Sequence, residues 1–195
     1  MAKRIEGMDE KIVASAKAEF LRKGYHGASL RKIAQGAGTS TASIYTRYSS
    51  KEGLFTAVVE PTASEFMERV RKAYATSENT EIWRESYRYN FWTEQIKFIY
   101  EHIDVFSLLF TCSYHTKYAG YQNAIAVIAA KSAYSYHVEK FAQKEIELDF
   151  VIAVYVALFT AFFETVSQHL QKEISEKYIL QLCHYFSAGW KSVLL

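Results

Sequence analysis

Residues Ser29–Tyr48 read SLRKIAQGAGTSTASIYTRY, and this stretch decides the fold. Leu30, Ile33, Ala34 and Ala37 fall at i, i+3, i+4 and i+7, which is one face of a helix. Ser29 stands at its N-cap and Gly38 stops it. Two residues later Ser40 can cap a new helix, Thr41 to Tyr48. That helix opens on small side chains: Ser40, Thr41, Ala42 and Ser43. A first turn without bulk can enter a DNA major groove ~12 Å wide. Its free N–H groups and dipole also favour phosphate. Tyr45 offers a hydroxyl to a phosphate oxygen, Arg47 offers a charge, and Lys51 offers another at the start of the next helix. Tyr45 is expected at the surface and Tyr48 in the core. Capping by Ser29 and Ser40 is compatible with phosphate contact.

Working outward, Ile12, Ala16 and Phe20 lie at i, i+4 and i+8 of a preceding helix, about Asp9 to Lys23. Asp9 and Glu10 suit its N-terminus, Arg22 and Lys23 its end, and Gly24 stops it. Downstream, Ser49 or Ser50 caps a fourth helix from Lys51 to about Ala75. The remaining chain shows no strand-like alternation. The pattern predicts helices over about 81–101, 103–113, 120–143, 147–171 and 175–194, with polar breaks at Thr76–Thr80 and Thr116–Gly120. The fold class expected is all-α. A helix-turn-helix domain occupies 1–55, and a helical effector-binding and dimerisation domain occupies 56–195.

Composition narrows the function classes. The chain has 195 residues, half of them hydrophobic, with eight Gly and one Pro, Pro61. This fits a folded helical protein and excludes a disordered one. The net charge of +2 hides an asymmetry: residues 1–55 carry ten basic and five acidic groups, the remainder thirteen and sixteen. A basic head on a mildly acidic body fits a polyanionic partner at one end. Cys112 and Cys183 form no CxxC, and the six histidines show no HxH or HxxxH spacing, so neither a metal nor a cofactor is expected. No nucleophile elbow, phosphate loop or dinucleotide motif occurs, which argues against an enzyme. Met1–Glu10 reads MAKRIEGMDE, without a signal-peptide core. The apolar run Phe150–Phe163 is shorter than the ~20 residues of a membrane span. A cytoplasmic chain with free thiols and no membrane partner is the expectation.

The head resembles the TetR family of bacterial regulators. The residues that carry the resemblance are Ile12, Ala16, Phe20, Gly24, Ser29, Ile33–Ala34, Ala37–Gly38, Ser40, Ile44–Tyr45, Tyr48 and Ser50-Lys51-Glu52 with Leu54. They span about residues 9–55. The resemblance implies that Thr41, Ala42 and Thr46 face bases, that Tyr45 and Lys51 hold phosphates, and that Ser29 touches the DNA backbone. Ala42 stands where the family often has Gly, and Arg47 where it usually has His or an aromatic residue. The family also implies an effector site in the body.

The body carries the aromatic residues. Of 31, only Phe20, Tyr25, Tyr45, Tyr48 and Phe55 lie in the first 55 positions. Tyr, Phe and Trp with a few polar groups suit a small-molecule pocket, although core packing uses the same residues. The candidate lining is Phe91, Trp92, Gln95, Phe98, Phe110 and Tyr114. If Glu94 or Glu164 is buried without a basic partner, a cationic aromatic effector follows. At the C-terminus, Ile174, Tyr178, Leu182, Phe186, Trp190 and Leu194 form an i+4 row. The preceding helix is apolar nearly all round and must be covered on all sides. Phe159, Phe162, Tyr178, Leu182, Phe186 and Trp190 are therefore expected at a homodimer interface. The function expected is a repressor that binds a palindromic operator in double-stranded DNA and is released by an apolar or aromatic effector. A constitutive repressor or an activator is the alternative. A helical enzyme and a protein-recruiting module are the competing classes.

Overall fold

The computed structural model describes residues 7–75, 85–140, 146–168 and 171–194. Among them no strand occurs. The helices are α1 (Met8–Gly27), α2 (Leu30–Gly36), α3 (Thr41–Tyr48), α4 (Lys51–Ala75), α5 (Glu85–Glu101), α6 (Ile103–Ser107), a π-helical turn (Leu108–Cys112), α7 (Tyr121–Lys140), α8 (Leu148–Ser167) and α9 (Lys172–Leu194). Gly24 has a φ of 68°, a left-handed value that breaks α1 where the sequence places its end. The helix expected over 103–113 divides into α6 and the π turn. The ends of the expected 81–101, 120–143 and 147–171 helices, and Leu194's side chain, lie outside the described residues.

The chain forms two compact units. The first is residues 1–64 with 102–119; the second is 65–101 with 120–195. The first unit thus extends beyond residue 55, into α4 and across α6 and the π turn. Its core is Ile12, Ala16, Phe20, Ile33, Ile44, Leu54 and Phe55, all fully buried. Each large side chain there contributes roughly 1.5–3 kcal/mol by leaving water. The Phe20 and Phe55 rings meet edge to face at 5.2 Å. Polar bonds fix how the short helices cross: the Ser15 hydroxyl donates to the Ile33 carbonyl at 2.9 Å, and the Glu19 carboxylate accepts from the Ser29 N–H. Two glycines permit close approach. A Cβ on Gly36 would stand 2.5 Å from Ser15 Oγ, and one on Gly53 would overlap the Tyr48 carbonyl oxygen.

In the second unit α8 packs on α7 and α9, and α5 packs on α9. Val151, Tyr155, Leu158, Phe159, Phe162, Phe163 and Val166 form the buried face of α8. Trp92 of α5 sits 4.3 Å from the Phe162 ring and 5.2 Å from Phe159. Trp190 packs on Phe150 and Tyr155. These positions correct part of the expected interface. Phe159, Phe162 and Trp190 are core side chains of one chain, not residues free to meet a second copy. The physical reason is that a helix apolar on every face carries no periodicity to say which face turns inward. Tyr178 is exposed, while Leu182 and Phe186 are half-buried. α8 is also, by length and composition, the one described helix apolar enough to cross a membrane, longer than the run Phe150–Phe163 suggests.

Candidate nucleic-acid interface

The turn between α2 and α3 is built from its caps. Ser29 caps α2 by accepting from the Lys32 N–H, and Ser40 caps α3 by accepting from the Ser43 N–H at 3.1 Å. Gly38, at a φ of 66°, turns the chain between them. Neither helix has an acidic residue in its first turn. The N-terminus of α3 therefore keeps its positive dipole end unneutralised, while the Glu19 carboxylate of α1 stands at that of α2.

α3 has one buried residue, Ile44, which anchors it to the core. Around that anchor Ser40, Ala42, Tyr45 and Thr46 are exposed, and Thr41 is half-buried. Tyr45 is 53% exposed. The Thr46 hydroxyl donates back to the Ala42 carbonyl at 2.9 Å, so its polar end is already satisfied within the helix. One small, uncharged face with a projecting phenol is the result.

Arg47 is held within the protein. Its guanidinium pairs with Asp9 of α1 at 3.0 Å and reaches Ser43 Oγ at 3.4 Å, with the side chain 18% exposed. The Tyr48 hydroxyl donates to the same Asp9. Burial first, then the Asp9 charge, pushes the Tyr48 phenol above its ordinary pKa. Asp9 thus ties the C-terminal turn of α3 to α1. Lys51 donates to the His26 carbonyl at 2.9 Å and lies 5.2 Å from the centre of the Tyr25 ring. Burial lowers its pKa below the usual lysine value. At the same corner Ser50 Oγ accepts from the Gly53 N–H and caps α4.

A second polar cluster joins α4 to the segment after the π turn, inside the same unit. Glu60 accepts from Lys117 at 2.6 Å and from the Tyr118 hydroxyl, and Glu52 accepts from the Lys117 N–H at 3.0 Å. The Lys117 and Tyr118 hydrogen bonds hold the Glu60 carboxyl at about 2. Tyr118 is pushed well above the ordinary tyrosine range, by burial first and by Glu60 second. The sequence places Asp9 only at a helix start, and does not show its pairing with Arg47 and Tyr48, the role of Gly53 or this cluster. A glycine in the first turn of a helix was the one available signal; the other pairings join residues 38 to 65 positions apart.

The candidate effector residues divide between the units. Phe91, Trp92, Gln95 and Phe98 share α5 in the second unit, with the last three buried. Phe110 and Tyr114 belong to the first, where Tyr114 is 72% exposed and packs on His115. Glu94 and Glu164 are both exposed, so the condition for a cationic effector is not met. His26 and His115 approach edge to face at 5.1 Å, yet no three metal-ligating side chains cluster among the described residues.

The model of the bacterial regulatory proteins of the tetR family matches residues 12–58. No curated relative matches the chain by sequence. Among solved structures, the chain is similar to a TetR-like transcriptional regulator from Rhodococcus sp. RHA1, with 17% identity, a TM-score of 0.67, and coverage of 96% of this chain and all of that one. It is similar to the TetR family regulator PfmR from Thermus thermophilus, with 16% identity, a TM-score of 0.64, and coverage of 89% and 97%. A tetR-family regulator from Streptomyces coelicolor shares 18% identity at a TM-score of 0.59, with coverage of 96% and 85%. At these identities the likeness establishes a common fold.

Proposed function

By its head the chain belongs to the tetR family of bacterial regulatory proteins, and from that premise we propose that it is a ligand-responsive repressor that binds a palindromic operator as a homodimer. The observation that carries this reading is the exposed face of α3, which opens on a serine-capped N-terminus with no acidic residue in its first turn. Thr41, Ala42 and Thr46 face bases. Tyr45, Ser29 and Ser40 contact phosphates, and Lys51 leaves the His26 carbonyl to take another. Arg47, paired with Asp9, sets the pose of α3 before DNA arrives. A phosphate drawing Arg47 off Asp9 would add to affinity.

Exposed apolar residues of α8 and α9 support the dimer. Phe150, Ile174, Tyr178, Tyr185 and Val193 are all exposed, and Leu182 and Phe186 line grooves beside them. A chain with such a surface gains by covering it with a second copy across a two-fold axis. Two recognition helices then stand about one DNA turn apart, ~34 Å. The effector, an apolar aromatic molecule bound beside α5, favours a body conformation that shifts α4, which contributes residues to both units. Differential affinity for the two states supplies the coupling, typically ~1–3 kcal/mol. The protein acts in the cytoplasm without enzymatic activity.

Fluorescence anisotropy with DNA from upstream of the protein's own gene tests the reading. Tight binding that weakens steeply as salt rises is the expected result. Salt-independent binding, or normal binding by Thr41→Glu, rejects it. Sedimentation tests the dimer: a single species of twice the chain mass is expected, and Tyr178→Glu with Tyr185→Glu should yield monomers.

A further inference from the structure

The buried side-chain nitrogen and oxygen atoms of the described residues have partners with one exception. In the second unit Tyr100 and Ser175 share a hydrogen bond at 2.6 Å. In the first, Ser113 donates to the Leu109 carbonyl and Thr116 to the Ser113 carbonyl. The exception is Gln95, 4% exposed, whose side-chain oxygen has no hydrogen-bond partner. An orphaned buried acceptor is rare in a native protein and calls for an explanation.

The identity of the orphan atom follows from its neighbour. The Gln95 side-chain nitrogen donates to the Phe91 carbonyl at 3.3 Å. A carbonyl only accepts, so the nitrogen must occupy that position and the oxygen the other. The orphan is an acceptor in want of a donor. Its α5 neighbours Trp92, Ile96, Phe98 and Ile99 are all buried. Ile96, Phe98 and Ile99 carry no side-chain donor, and the Trp92 indole makes no bond to it. The described buried polar residues of this unit are Gln95, Ser175 and Ser187, none of them charged. A cation would find no buried counter-charge there.

We infer that Gln95 receives a hydrogen bond from the effector, and that the effector is an uncharged aromatic compound bearing a hydroxyl or N–H group. This rests on the reading of the second unit as an effector-binding body. The aromatic side chains take the ring by area and edge contacts, while the Gln95 oxygen selects the donor. Selection of this kind is sharp because a ligand lacking the donor leaves the buried acceptor unpaired.

The test uses matched probes: 2-naphthol against 2-methoxynaphthalene, and 4-phenylphenol against 4-methoxybiphenyl. Each ether keeps the ring and loses the donor. Binding is followed by Trp fluorescence, and operator release by anisotropy, for the wild type, Gln95→Leu and Gln95→Met. The hydroxyl compounds should bind the wild type about tenfold or more tighter than their ethers. That preference should vanish in both variants, with operator affinity unchanged. Without ligand, Gln95→Leu and Gln95→Met should melt close to the wild type, because the loss of the nitrogen's bond to the Phe91 carbonyl is offset by removal of an unpaired buried oxygen. Equal binding and equal operator release by each pair overturns the inference and leaves the effector-responsive reading standing. Binding by none of the four compounds, with the operator still held, overturns both.

Discussion

The two units are held together differently. The first joins short helices by polar bonds of long sequence range: Ser15 to Ile33, Glu19 to Ser29, Arg47 and Tyr48 to Asp9, and Glu60 to Lys117 and Tyr118. The second relies on aromatic packing among Phe66, Trp92, Phe98, Phe159, Phe162 and Phe163. Directional bonds allow one arrangement, which suits a head that must match a fixed groove. Non-directional packing tolerates rearrangement, which suits the proposed role of the body as an effector-binding unit.

This comparison can be broken where each unit is most dependent. Trp92→Ala should cost the second unit about 3–5 kcal/mol, the usual loss for a buried Trp truncation, as read by chemical denaturation. An effect under about 1 kcal/mol would mean that the aromatic cluster is not structural. Gly53→Ala should cost the first unit about 1–3 kcal/mol, because the new methyl group meets the Tyr48 carbonyl and the start of α4 must shift. Operator affinity should fall with it; a neutral outcome would show that α4 need not approach α3 so closely. Asp9→Ala is expected to be milder, about 1 kcal/mol, since the Arg47 pair is partly exposed. It should loosen the C-terminal turn of α3, seen as faster amide exchange there.

The smallest effect concerns pH. Glu60 has a folded pKa of about 2, depressed below its ordinary value of 4.5. Its contribution is therefore complete above about pH 4.5 and is lost as the pH falls towards 2. The midpoint of unfolding should drop across that window, and Glu60→Gln should flatten the drop. Lys117 and Glu60 are both substantially exposed, so solvent screening keeps the effect small. An unchanged profile in the variant would remove this cluster from the account of the head's stability.

The same contrast explains what can be read from the sequence. α2 and α3 are legible because their caps, glycines and apolar spacing are local: Ser29, Gly38, Ser40 and Ile44 mark them within 16 residues. The extent of the first unit is not, since residues 102–119 join it through Lys17–Asp104, Glu60–Lys117 and ring packing at Tyr118, which no local pattern encodes. The π turn at Leu108–Cys112 carries no signal distinct from an ordinary apolar helix. In the body, the all-round apolarity of α8 announces burial but not direction, so Phe159 and Phe162, expected at a subunit interface, lie against Trp92 instead. Gln95 is legible as a polar residue in an aromatic stretch; only the folded arrangement shows that its oxygen has no partner.

The central claim is that the small-residue face of α3 reads DNA. Its most direct test is an anisotropy titration of wild type and Thr41→Glu on the upstream DNA at two salt concentrations, with melting curves of both proteins. The expected result is a wild-type affinity that falls steeply with salt, a loss of more than about 100-fold in Thr41→Glu from a carboxylate placed against DNA, and matching melting temperatures. Equal affinities for the two proteins, or binding indifferent to salt, would contradict it.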